Sequence, residues 1–262
     1  MTLSPRQTRF ALIGLGLILW EVLPRSGAIA PLFLPPLTQT LAAGFGDAGA
    51  YASNLLVTLG EVAASLVFAC GGGILAGAAL GSIPKIGRLL LPLLSGLYAV
   101  PLVVLYPVFT AWFGIGSESK IAFASLYGFF PTLLGTAAGI ATIDPQYLLA
   151  ARAMGASLPQ RINRVVLPAA IPTVLSSFRI GGALVIVGVV VSEMLTSSAG
   201  IGYLITSYRT VLDSPHVFAA ILLVLAMAIA FDSLVQLVER RTAAWRHAGR
   251  SVTRPRPVAV AA

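Results

Sequence analysis

Three runs of this chain, 62–80, 93–112 and 121–140, contain no Asp, Glu, Lys, Arg or His over about twenty residues each. Twenty residues of α-helix rise about 30 Å, the thickness of the hydrocarbon core of a bilayer. The apolar residues lie all round each run rather than along one stripe, as burial in lipid requires. The strict alternation of a membrane β-barrel strand is absent. Three further apolar stretches carry isolated charges: 10–23, broken by Glu21; 174–195, with Arg179 and Glu193; and 217–238, with Asp232. The reading is an all-α membrane protein with six transmembrane helices, at about 10–24, 55–80, 93–112, 121–140, 174–195 and 217–238. They form a single transmembrane domain over 1–262. Composition agrees. Only 10% of the residues are charged and 57% are hydrophobic, whereas a soluble domain carries roughly a quarter charged residues. Disorder is excluded by the same figures.

The basic residues orient the bundle. With the N-terminus inside, fourteen of the seventeen Lys and Arg fall on inner segments. Only Arg25, Lys120 and Arg209 fall outside. This asymmetry predicts N-in, C-in topology, and the net charge of +8 then reflects topology and anionic membrane lipid. No nucleic-acid partner is needed. The segment 240–262 reads as a basic inner tail. At the other end, Arg6 and Arg9 precede an apolar run and Ala28-Ile29-Ala30 resembles a cleavage site. A removable signal peptide therefore stands beside a retained first span.

Catalytic motifs are missing from the sequence. A phosphate-cradling loop needs Gly-Lys-Ser/Thr, but the two lysines, Lys85 and Lys120, follow Pro84 and Ser119. Cys70, His216 and His247 are too few for a Cys/His metal site in one chain. HExxH and GxSxG are absent, and Gly155-Ala156-Ser157 is followed by Leu158. No catalytic, cofactor-binding or metal-binding residue is assigned, so ATP hydrolysis is expected on a separate chain. Gly73, Gly77 and Gly81 form overlapping GxxxG steps that let helix backbones approach closely.

The most informative segment is the loop 142–171. Asp144 is a good N-cap, with Pro145 at the first helical position. Arg152 suits the last turn, and Gly155 suits a left-handed C-cap. Ser157 and Pro159 begin a second helix, which Pro168 and Pro172 are expected to end before the fifth span. The first helix, of about ten residues, is either a surface helix packed on its own bundle or a docking helix for a soluble partner.

Ala150-Ala151-Arg152, Gly155-Ala156-Ser157 and Val165-Val166-Leu167-Pro168-Ala169-Ala170-Ile171-Pro172 resemble the EAA loop of bacterial ABC-importer permeases. The chain is similar to their nitrate/sulfonate/taurine subfamily from about Phe10 to Arg246. Trp112-Phe113-Gly114-Ile115-Gly116 with Lys120, Phe130-Pro131-Thr132, and Glu193-Met194-Leu195 followed by Gly200-Ile201-Gly202-Tyr203 also match. Two positions depart from the pattern: Leu149 stands where the family has Glu, and Glu61 where it tends to have a basic residue. The resemblance implies a type I importer fold in the bacterial inner membrane and a permease homodimer. It further implies two cytoplasmic ATPase subunits that consume the ATP, and an extracytoplasmic substrate-binding protein. It places ATPase docking on Ala150, Ala151, Arg152, Gly155, Ala156, Ser157 and Pro168, on a coupling helix between spans four and five.

Charges at membrane depth usually face a bundle interior or an aqueous cavity. Arg179, Ser192 and Glu193 are therefore candidates for the translocation path or its gate, beside the alternative that they anchor helix ends. Asp232 is expected near Arg240 or Arg241, or bonded to a neighbouring helix. Tyr98, Tyr106, Trp112 and Tyr127 either line a cavity or form interfacial belts. Two other functions stand as alternatives: an ion- or proton-coupled carrier with Glu61, Glu193 or Asp232 as relay, and a membrane scaffold.

Overall fold

A computed structural model describes residues 4–248 of the chain. Among the described residues every regular element is helical. Helix α1 spans Pro5–Arg25 and starts at a capping box of Ser4 with Gln7. A short α2, Leu37–Gly46, follows. Helix α3 runs unbroken over Ala48–Ser82, widened by a π turn at Val67–Gly71. Helix α4 spans Pro84–Tyr98. A 3-10 turn at Leu102–Leu105 leads into α5, Tyr106–Phe113. Helix α6 is Ser117–Ala141 and α7 is Pro145–Ala153. Helix α8 covers Pro159–Leu195, with a second π turn at Ile162–Val166. The short α9, Ile201–Thr210, and the long α10, Ser214–Ala248, complete the order.

Helix α6 is the axis of the bundle, with α3 on one side and α8 on the other. The glycine stripe of α3 packs on it. A Cβ at Gly73 would lie 2.8 Å from Thr132 Cβ, and one at Gly81 would lie 2.7 Å from the Ala137 carbonyl oxygen. Those three glycines therefore set the α3–α6 distance. Phe123, Leu133, Val185, Val189 and Ile201 are fully buried around this axis. Leu56, Val67, Phe68 and Leu75 face outward and are at least two-thirds exposed, as lipid-facing side chains are.

Four helices, α3, α6, α8 and α10, are long and apolar enough to cross a membrane, and the α4–α5 pair makes five if a bent pair counts as one span. The expected first span is helical in α1, which is not among those helices. The span expected at 93–112 falls on the α4–α5 pair, which is bent by 80°. Pro101 supplies the reason: it lacks an N–H and pushes Val100 out of the α region. Pro168 and Pro172 do not end a helix before the fifth span, contrary to the sequence reading. The π turn at Ile162–Val166 immediately precedes Pro168, and its wide backbone accommodates the proline ring and the missing donor. Helix α8 then continues through both prolines. Of the tail 240–262, the part after Ala248 lies outside the described residues.

Candidate functional site

The candidate residues fall in three places: the α6–α8 loop, a polar layer near the start of α9, and a groove between α8 and α10.

The loop is built as its residues dictate. The Asp144 carboxylate accepts from the Gln146 N–H at 2.9 Å, and Pro145 opens α7. At the other end Gly155 has φ +76°. Its N–H donates to the Arg152 carbonyl at 2.9 Å, and the Ala156 N–H donates to the Ala151 carbonyl at 3.0 Å. That pair of bonds is a Schellman motif, with glycine at its left-handed position. The Ser157 N–H donates to Gln160 Oε1 at 2.8 Å, starting the next helix. Ala150, Arg152, Gly155 and Ser157 are exposed, and Ala156 and Pro168 are half-buried. Ala151 is buried against its own bundle, so it presents no face to a partner. The exposed apolar side chains are instead Tyr147 and Leu149 of this helix and Met154 at its C-cap.

The polar layer joins residues far apart in sequence. Ser192 and Glu193, at the end of α8, are both buried. One Glu193 carboxylate oxygen accepts from Thr58 Oγ1 and the other from the Gly202 N–H, each at 2.7 Å. Thr58 Oγ1 in turn accepts from the Ile201 N–H at 2.9 Å, and Asn54 Oδ1 accepts from the Gly200 N–H at 2.7 Å. A carboxylate thus sits at the N-terminus of α9, where free N–H groups and the helix dipole favour negative charge. Gly200 has φ +107°, and a Cβ there would overlap the Glu193 carboxylate. One helical turn further along α3 from Thr58, Glu61 pairs with Lys120 of α6 at 2.5 Å, both side chains at most 5% exposed. Ser117 Oγ also donates to Glu61, at 2.8 Å. Lys120 Nζ donates to Ser197 Oγ at 3.1 Å. The sequence marked Glu61, Lys120 and Glu193 as isolated charges, but Asn54, Thr58 and Ser197 carried no signal of their own.

Arg179 lies on α8 beside Asp232 of α10, Nε to Oδ1 at 2.5 Å, with each side chain 40% exposed. Gln236 Nε2 donates to the other Asp232 oxygen at 2.7 Å. Of the two environments expected for Asp232, the neighbouring helix is the one observed, and Arg179 rather than Arg240 or Arg241 is the cation. The pair borders a groove of about 690 Å³ whose walls include Ile180, Val187, Val191 and Phe231. Of the aromatic residues, Tyr106 is buried against Phe123, which also contacts Tyr127, whereas Trp112 is exposed. Glu61, Glu193 and Asp232 each meet a polar or charged group of this chain, while the second Glu61 oxygen, Oε2, is buried without a hydrogen-bond partner.

The described residues form a helical bundle with a solvent-exposed capped helix between two spans, and comparison with known proteins gives that architecture its class, a multi-pass transport permease. Residues 70–244 match the family model described as binding-protein-dependent transport system inner membrane component. The chain belongs to that family, and is an ABC-importer permease of the inner membrane. It is 31% identical to the putative aliphatic sulfonates transport permease of Bacillus subtilis, over 87% of this chain and 84% of that one. It is 30% identical to the taurine transport system permease of Escherichia coli K12, over 87% and 86% of the two chains. The nitrate import permease of Synechococcus elongatus is 28% identical over 81% and 77%. Among solved structures, a permease chain of the inward-facing MetNI methionine ABC transporter superposes with TM-score 0.64 at 19% identity, over 74% of this chain and 96% of that one. That likeness shows the fold. Membership of this family implies an ATPase and a substrate-binding protein as partners.

Proposed function

We propose that the chain forms, as a homodimer served by two ATPase subunits and one outer binding protein, the translocation path for a small anionic solute. Both termini lie inside, and ATP is consumed on the partner chains. The anionic class rests on the relatives, named for sulfonates, taurine and nitrate. Arg179, beside Ser176 at the groove, is the cation of this chain best placed for such a solute, and Ser192 and Glu193 belong to the outer gate.

The carrying observation is α7. A nine-residue helix with hydrogen-bonded caps at both ends moves as a unit. Tyr147 and Leu149 stand 61% and 59% exposed on it, and Met154 stands 81% exposed at its C-cap. Short apolar anchors on a capped helix are what a groove in a soluble partner accepts. The test is affinity purification from native membranes after crosslinking at Met154→Cys; the buried Ala151 is the wrong site for the probe. A cytoplasmic ATPase trapped in equal number with the chain is expected, in a particle containing two of each. A chain that purifies alone, with nothing trapped at Met154→Cys, overturns the docking assignment.

A further inference from the structure

Five residues, Thr196–Gly200, connect α8 to α9, and three other helices reach them. Tyr106 Oη of α5 donates to the Thr196 carbonyl at 3.4 Å. Lys120 Nζ of α6 donates to Ser197 Oγ, which donates in turn to the Ala199 carbonyl at 2.6 Å. Asn54 Oδ1 of α3 takes the Gly200 N–H. Lys120 is the centre of this arrangement, because the same ammonium is held by Glu61 of α3. A buried ion pair is a poor device for stability, since desolvation offsets most of the attraction, but it fixes one geometry against alternatives.

We propose that Glu61 and Lys120 are positioning residues of the outer gate: their ion pair holds the loop 196–200, and through it α9, against α3. Helix α9 leaves α3 only when this tie opens. The Glu193–Thr58–Gly202 contacts form the second attachment of α9 to α3. Charge is required at both 61 and 120, but its sign at each is not, because in the exchanged pair the carboxylate at 120 would accept from the Ser197 hydroxyl once that hydroxyl turns from the Ala199 carbonyl.

The test uses the full chain in lipid nanodiscs, with Cys70→Ala and a reporter Leu204→Cys on the buried face of α9. The readout is the rate of reaction with a charged maleimide, with both faces of the nanodisc accessible, so it depends on neither orientation nor partners. Lys120→Met raises the rate about tenfold or more, since it leaves a buried carboxylate unpaired. The exchanged pair Glu61→Lys with Lys120→Glu returns it to within about threefold of the starting value. A role limited to packing predicts no such rescue. Ser197→Ala, which keeps the ion pair and removes its link to the loop, raises the rate a few-fold. This last variant decides the matter if Lys120→Met fails to fold. An unchanged rate in Ser197→Ala, or an exchanged pair that behaves like Lys120→Met, overturns the proposal.

Discussion

Two glycines show how differently the same backbone conformation can be used. Gly155 and Gly200 both have positive φ, at +76° and +107°. Around Gly155 nothing lies within 4 Å of a built Cβ, whereas at Gly200 the Glu193 carboxylate fills that space. Gly155→Ala therefore costs about 1 kcal/mol of backbone strain and no more. Gly200→Ala adds displacement of a buried, doubly bonded carboxylate, for about 2–4 kcal/mol in total. Thermal unfolding of the two variants in nanodiscs checks the difference. Equal shifts would mean that Glu193 does not depend on Gly200. The first of these glycines is legible in the sequence because its partners lie within a few residues. The second is not: Glu193 meets Thr58 across 135 positions, and no local pattern announces which apolar helix supplies the hydroxyl.

Elements were legible where their ends are chemically marked. Asp144, Pro145, Arg152 and Gly155 delimit α7 in the sequence as they do in the fold. The error fell on Pro168 and Pro172, because the effect of a proline depends on the backbone around it. Pro101 breaks its span by 80°, whereas α8 runs on through Pro168, which follows a π turn, and through Pro172 inside the helix. Periodicity does not announce a π turn, since it inserts one residue without requiring any particular residue type. The caps of α7 also predict that it opens independently of its neighbours. Asp144→Ala removes the bond to the Gln146 N–H and costs about 1 kcal/mol, or about fivefold in local opening. Hydrogen exchange should quicken by that factor at 146–150 and stay unchanged in α6 and α8. Quickening that spreads into α6 would show that α7 is not a separate unit, and the docking reading would lose its rigid lever.

At the scale of the whole molecule, charge placement rather than hydropathy assigns the two faces. Hydropathy found the long helices, but a window average shows neither the bend within the α4–α5 pair nor which face of the membrane each end meets. The inner and outer loops nevertheless differ sharply in Lys and Arg, and this bias governs insertion independently of how straight each span is. On the orientation proposed from the charges, the helix ends alternate consistently: α3 would start outside, α6 end inside at Ala141, and α8 return to the outside at Leu195. Two exposed apolar residues allow a direct check. Met154, after α7, is 81% exposed, and Ile115, between α5 and α6, is 76% exposed. In a Cys70→Ala background, Met154→Cys should react with an impermeant maleimide only in inside-out vesicles, and Ile115→Cys only in right-side-out cells. The reverse pattern would place α7 outside, beyond reach of any cytoplasmic ATPase, and would refute the orientation and the docking role together. Labelling of both sites from one side would instead mean that α6 does not cross, leaving the bundle without its central span.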